Sequence, residues 1–420
     1  MIKRMVEYSG KICLAPMVRS GELPMRLMAL KYGCDLVWTP ELIDRKLVNT
    51  IRTVNRELGT IDYVESGNTN SVAFRKHPSE TGKLILQLGS ATPDLAVEAA
   101  NKVIEDVDGI DLNCGCPKHF STHGGMGAKL LDTPDILCSI LTNLVNKVGI
   151  PNNKPISCKI RLLPEFEKTK ELIERICETG IKNLTIHCRT PIMRNRQDPF
   201  WNYLPKLIPI IQSKGVSVII NGNIQGVKDL HNLQMAMEND KLGIMIAEAA
   251  ETNPSVFSLQ PKSQKEVACE LFDFALKYHP FSGTKYFLQN MIPGKSPYYS
   301  LVVRSKTYEQ LQEVIDKLRQ DGDDVWMNTI ANRNLQKHHS MTLEEYNLHM
   351  DARGEVMKQF AGNWNEDEML KPLNDRPTKR TQEIPQHKKQ QFKKVKSDLV
   401  APPTELVKDI APVVAAATTT

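Results

Sequence analysis

An α/β fold, a TIM (β/α)8 barrel followed by a smaller all-helical domain, is what this sequence predicts. Three observations predict it. Eight short apolar runs of β-type recur between residues 11 and 249. Segments of helical period alternate with them. Beyond residue 256 the strand runs cease and only helical periods remain.

The runs are KICLAPM (11–17), DLVWTPE (35–41), KLILQLG (83–89), GIDLNCG (109–115), ISCKIRL (156–162), NLTIHCR (183–189), VSVIING (216–222) and GIMIAEA (243–249). Each is nearly continuous in apolar residues, the pattern of strands covered on both faces. Between them, PMRLMALKYG (24–33) stops at Gly33, and TPDLAVEAANKVI (92–104) opens with a threonine cap and a proline in its first turn. TPDILCSILTNLVNKV (133–148) repeats that start, FEKTKELIERICETG (166–180) ends at Gly180, and GVKDLHNLQMAMEN (226–239) completes the set. Eight alternations are the count of a closed barrel. A doubly wound open sheet is the rival arrangement.

After the barrel, VACELFDFALKYH (267–279), KYFLQNMI (285–292), SKTYEQLQEVIDKLRQ (305–320) and TLEEYNLHMDARGEVMKQFA (342–361) read as helices. The expected organisation is a catalytic barrel over 1–255, a helical domain over 256–365 and a disordered tail over 366–420. Within 376–396, Arg376, Lys379, Arg380, Lys388, Lys389, Lys393, Lys394 and Lys396 face a single Glu383. That stretch reads either as a solubilising tail or as an electrostatic arm for phosphate backbones.

Composition narrows the class. A hydrophobic content of 41% with 25% charged residues excludes a wholly disordered chain. No apolar run reaches the roughly 18–20 residues that span a bilayer, so no membrane partner is expected. The start, MIKRMVEYSGKI, holds no apolar core of a secretory signal. Nine scattered cysteines, several inside apolar runs (Cys13, Cys158, Cys188), read as reduced thiols rather than a disulfide framework. A monomer in the cytoplasm is expected, with the nucleus and the mitochondrion left open. The net charge of +5 is compatible with nucleic acid without pointing to it.

In a barrel of this type the chemistry lies at the carboxyl ends of the strands. The first run ends in Ala15, Pro16 and Met17, the second in Thr39 and Glu41, and the third carries Gln87. The fourth ends in Asn113, Cys114, Gly115 and Cys116, the fifth carries Lys159 and Arg161, and the sixth His187 and Arg189. Asn221, Gly222 and Asn223 end the seventh, and Ala247 and Glu248 the eighth. Alternation sends Lys159 and Arg161 the same way, and His187 and Arg189 likewise. Charges aimed into a barrel are costly unless they are paired in the core or bind something. Such a mouth suits an anionic ligand. The loops after the last two strands suit a phosphate, Gly222 allowing close backbone approach. No Rossmann or P-loop glycine pattern is present, so flavin mononucleotide (FMN) fits better than a nucleotide on either of those folds.

The stretch CGCPKHFSTHGGMGAKLL (114–131) offers chemistry of its own. Zinc on Cys114, Cys116, His119 and His123 lacks a second paired-cysteine element, and no metal is expected. Cys114 reads as structural. Cys116 at the loop edge reads as an acid or nucleophile. GGMG (124–127) reads as a lid over substrate or as a tight connection.

Together, LAPMVRSGELPMRLMALKYGCDLVWTPELID, LQLGS, DLNCGCPKHFSTHGGMGAKLL, KIRL, HCRT, NGNI and IAEAAETNPSVF resemble the tRNA-dihydrouridine synthase family. The likeness is greatest to the eukaryotic class that modifies uridine 20 of the D-loop. It implies an FMN-dependent barrel and a helical domain that helps hold tRNA, with NADPH or NADH reducing the flavin. Pro16, Met17, Val18, Gln87, Lys159, His187, Asn221, Gly222, Asn223, Ala247 and Glu248 would bind FMN. Cys116 would be the general acid, and Asn113, Arg161 and Arg189 would meet the substrate. Where the family usually has arginine this sequence has Glu248, a carboxylate near a dianion, for which Lys241 or Arg189 is the candidate compensation. The chain after 366 is too short and too poor in apolar residues for the double-stranded-RNA-binding domain of some animal members. An FMN barrel reductase of a free pyrimidine and a tRNA-binding chaperone without turnover are the competing readings.

Overall fold

A computed structural model of the protein describes residues 5–68, 71–195, 197–294, 296–321, 343–362 and 373. Its strands are β1 Ile12–Leu14, β2 Leu36–Trp38, β3 Leu42–Ile43, β4 Thr50–Asn55, β5 Thr60–Glu65, β6 Val72–Lys76, β7 Leu84–Gly89, β8 Gly109–Cys114, β9 Ile156–Arg161, β10 Asn183–His187, β11 Ser217–Asn221 and β12 Gly243–Ile246. The parallel order runs β2-β1-β12-β11-β10-β9-β8-β7, and a β2–β7 pairing closes it. The staves are the eight apolar runs of the sequence, and the closure excludes the open doubly wound sheet.

Side chains pointing outward from the staves pack against the helices. Leu14, Val37, Leu86, Leu112, Cys158, Ile160, Leu184 and Ile220 belong to one continuous buried cluster with the helices' inner faces. Double coverage is why these strands read as unbroken apolar runs. The helices Leu23–Lys31, Pro93–Val103, Pro134–Leu144, Phe166–Cys177 and Lys228–Ala236 lie where the helical period places them. One more barrel helix, Leu204–Ser213, carries Pro205 in its first turn and Pro209 inside, and those prolines mask its period in the sequence.

Two features come from the chain between the second and third staves. β3 resumes pairing with β7 just beyond β2, matching Leu42 with Leu88 and Ile43 with Gly89. Thr39, Pro40 and Glu41 form the break between them. Next, β4, β5 and β6 make a separate antiparallel sheet. Asp106 ties it to the barrel, accepting from Arg52 Nε at 2.7 Å and from Tyr63 Oη at 2.6 Å. β4 is mostly exposed, so its sequence, TIRTVN, lacks the apolar continuity of a stave.

Behind the barrel, Gln264–Tyr278, Phe281–Met291, Pro297–Arg304 and Tyr308–Gln320 pack on one another, and the first of them lies on Leu23–Lys31. Its start is fixed by a capping box in which Ser263 and Glu266 satisfy each other's backbone N–H groups. The helix Leu343–Gly362 packs elsewhere, along Lys228–Ala236. Residues Met1–Asn374 form one compact unit. Leu373 falls inside the stretch expected to be disordered, yet it is 6% exposed and its N–H donates to the Pro164 carbonyl at 2.8 Å. The remainder of the expected tail, with its basic patch, lies outside the described residues. Among the described residues no helix is long and apolar enough to cross a membrane.

Candidate active site

Strand register fixes what faces the barrel axis. Gln87 pairs in register with Asp111, Asp111 with Ser157, and Ser157 with Asn183. One layer nearer the carboxyl ends, Asn113 pairs with Lys159 and Lys159 with Thr185. His187 pairs with both Arg161 and Asn221 at the mouth. These residues all point inward. On the other side of the interior, Tyr8, Cys13, Ala15, Leu36, Trp38, Ile85, Ile219 and Met245 form a small apolar cluster.

Asp111 is the buried anion of the polar side. Its Oδ2 accepts from Gln87 Nε2 at 2.9 Å and its Oδ1 from Ser157 Oγ at 2.7 Å. Burial nevertheless pushes its carboxyl up to about 6. Lys159, one layer above, is pushed down to about 8 by burial and by Arg161, while Asp111 pulls the other way. Near neutral pH Lys159 therefore carries a charge with little solvation, a state that attracts an anion strongly.

The two arginines of the mouth brace loops. Arg161 donates from Nε to the Gly115 carbonyl at 2.8 Å and from a terminal nitrogen to the Thr190 carbonyl at 3.0 Å. Arg189 donates to the Gln197 and Asn195 carbonyls at 2.8 and 3.1 Å and to His187 Nε2 at 3.1 Å. A guanidinium is only a donor, so Nε2 accepts and the His187 proton sits on Nδ1. Burial, with Lys159, Arg161 and Arg189 beside it, holds His187 well below its ordinary value and neutral.

β8 ends in a turn that presents Cys116. Asn113 Oδ1 accepts from the N–H groups of Gly115 and Cys116 at 3.0 and 3.1 Å. Cys114 points outward into the buried sheath, away from Cys116. The GGMG segment closes tightly against the turn. Ala128 N–H donates to the Cys116 carbonyl at 2.9 Å. At Gly127, φ is +59°, and a Cβ would stand 2.6 Å from the Cys116 carbonyl oxygen, so no other residue fits there without displacing the turn. Burial pushes the half-buried Cys116 thiol up, and Glu41 pushes it further. Near neutrality the sulfur is a protonated acid. His119 and His123 stack on each other at 4.9 Å, and among the described residues no cluster of His, Cys, Asp and Glu is arranged to hold a metal ion.

The remaining expected residues line the opposite rim. Pro16, Met17 and Val18 are half-buried in the loop after β1, where Gly21 N–H donates to the Met17 carbonyl at 2.7 Å. Asn221 Nδ2 donates to the Met245 carbonyl at 2.8 Å and joins β11 to β12. Gly222 and Asn223 follow with φ of +115° and +55°. A Cβ at 222 would be 3.2 Å from the His187 ring. Ala247 precedes the short helix Glu248–Thr252. Glu248 lies close enough to Arg189 to act on its charge. Lys241 does not reach the mouth. Its carbonyl accepts from Gly10 N–H at 3.0 Å at the amino-terminal end of the barrel.

Sequence reasoning did not reach the outer support of this rim. Arg353, on the helix Leu343–Gly362, donates to Asp229 at 2.7 Å and to the Asn223 carbonyl at 2.6 Å. Asp229 is fully buried and Arg353 11% exposed. His349 Nε2 lies 3.0 Å from Gln225 Oε1. A helix more than a hundred residues downstream thus holds the turn after β11, a contact no local pattern announces.

A closed barrel whose mouth gathers a protonated thiol, a buried cation row and a left-handed turn defines an enzyme of the (β/α)8 class, with its chemistry at the carboxyl ends of the strands. A family model described as "Dihydrouridine synthase (Dus)" matches residues 13–345, and the chain belongs to that family. It is 49% identical over 331 residues to a Saccharomyces cerevisiae tRNA-dihydrouridine(20) synthase [NAD(P)+], covering 76% of this chain and 86% of the relative. The Schizosaccharomyces pombe protein of the same name is 47% identical over 74% of this chain and 66% of its own length. A human tRNA-dihydrouridine(20a/20b) synthase-like protein is 29% identical over 64% of this chain.

Proposed function

We propose that this enzyme reduces the C5=C6 bond of a uridine in tRNA to dihydrouridine, at position 20 as in the relatives' names, using FMN and either NADPH or NADH. The observation that carries the reading is Cys116, a protonated thiol held by Asn113 and Gly127 at the mouth beside Lys159 and Arg161.

The residues present fit FMN. Gly222 and Asn223 both take positive φ, and a turn of successive N–H groups in such backbone is suited to an anion. Lys159, Gln87 and neutral His187 supply donors from the polar side. Pro16, Met17, Val18, Ala247 and Glu248 complete the expected cofactor contacts. When bound, the flavin supplies the hydride that goes to C6 of the base. Cys116 holds the proton destined for C5. Lys159 favours negative charge developing in the site, and Arg161 and Arg189 fix the loops around it. The target base must leave its stack to reach such a mouth, and the 256–365 segment is the proposed surface for the rest of the tRNA.

The test is the visible spectrum of the purified protein during anaerobic titration. A flavin band that bleaches with NADPH and returns on adding unmodified tRNA is expected. A protein that stays colourless with added FMN, or is reoxidised by free uracil and not by tRNA, rejects the proposal.

A further inference from the structure

Glu41 stands in the break between β2 and β3, and three contacts place it against the Cys116 turn. Its Oε1 accepts from Ser121 Oγ at 2.8 Å, and Ser121 is fully buried on the short helix that follows Cys116. Gly89 makes room for it, since a Cβ there would lie 2.6 Å from Oε1. Its Oε2 is buried and makes no well-formed hydrogen bond, while the Asn113 amide and the Cys116 thiol lie close enough to favour its charged form. A buried carboxyl oxygen without a formed partner costs free energy. The pairing of β3 with β7 holds it there.

Resting on the reading of Cys116 as the acid, we propose that Glu41 is a positioning residue for that acid: it keeps the thiol aimed and protonated, and returns a proton to it after each turnover. The Cys116 S–H bond breaks as a C–H bond forms at C5, leaving the electron pair on sulfur. The hydride at C6 comes from the reduced flavin, which is oxidised. The thiolate then takes back a proton that the Glu41 carboxylate accepts from water and passes on, so thiol and carboxylate are both restored. Burial raises the Glu41 carboxyl above its ordinary value, so it holds a proton more readily than an exposed glutamate. The charged groups facing the thiol are Glu41 from the β2–β3 break, Lys118 from its own loop, and Lys159 and Arg161 from β9. Among these, Glu41 is the anion.

The experiment compares wild type with Glu41→Gln, which keeps an acceptor for Ser121 but neither charge nor acid proton. Cys116 and Cys138 are the two cysteines that are not buried, so iodoacetamide alkylation of the full-length protein, read by peptide mass, follows Cys116 separately. The pH midpoint of Cys116 alkylation is expected to fall in the variant, giving roughly threefold or faster alkylation near pH 8. Dihydrouridine formation by pre-reduced enzyme is expected to retain its first turnover and slow about tenfold or more in later ones. An unchanged midpoint, or an equal loss in first and later turnovers, overturns the proposal. If Glu41→Gln does not fold, Glu41→Asp is read in the same way, and an unchanged midpoint again overturns it. A shifted midpoint in an enzyme that reduces no tRNA supports the Glu41–Cys116 coupling and rejects the proposed function instead.

Discussion

The barrel interior is largely apolar where β1, β2, β11 and β12 face it, and polar or charged where β7 to β10 do. Cys13, Ala15, Leu36, Trp38, Ile219 and Met245 fill the first side. Gln87, Asp111, Asn113, Ser157, Lys159, Thr185 and His187 line the second. Both sides are buried inside the same closed barrel. On the second, burial pushes Asp111 up to about 6, Lys159 down to about 8 and His187 far down, whereas on the first it pushes the Tyr8 hydroxyl and the Cys13 thiol up and keeps them neutral. Burial of charge is costly unless a ligand repays it. The apolar side therefore behaves as core and the polar side as site, and substitutions on the two should fail differently.

The largest effect is expected at the edge of the polar side. Cys116→Ala should lower dihydrouridine formation by about 10²–10⁴-fold, the usual worth of a general acid, with flavin content and melting temperature unchanged. Rate measurement beside the flavin spectrum checks this, and a loss of flavin would dissolve the contrast between the two sides. Next, Trp38→Ala on the apolar side should cost about 3–5 kcal/mol of stability, visible in denaturant titration of flavin-free protein. A fully stable variant that had lost only turnover would place Trp38 in the site.

The smallest effect sharpens the comparison through pH. Lys159 falls from 10.5 to about 8 on folding. Between those values the unfolded chain binds a proton that the folded one does not, so stability rises with pH through that window. Lys159→Met should flatten this rise and lift the melting temperature of flavin-free protein near pH 7 by about 2–4 °C. Melting curves from about pH 7 to about pH 10 test it. The same variant should bind flavin more weakly, so a stabilised apoprotein with a poorer cofactor site is the signature of a residue kept for function.

Much of this was legible in the sequence. Eight apolar runs gave the staves, and the residues at their carboxyl ends gave nearly every side chain of the mouth, because strand alternation is a local rule. The sheet β4–β6 was not legible, since its strands mix polar and apolar residues and only β4 is mostly exposed. Nor was the commitment of Arg161 and Arg189 to loop carbonyls, which depends on where loops fold back. Glu41 was visible as a strand-end residue, but nothing in its neighbourhood along the chain tied it to Cys116, 75 positions away.

What the sequence by itself determined was the barrel, its direction and the inventory of its mouth: periodicity decides which face each side chain takes, and periodicity is written in the chain. What only the tertiary structure decided was partnership. Glu41 with Ser121 and Cys116, Arg353 with Asp229 and the Asn223 turn, and Asp111 beneath Lys159 are contacts across elements. Protonation follows from them, because a pKa depends on burial and on the charges within a few ångströms, and neither is a property of a residue's neighbours in sequence.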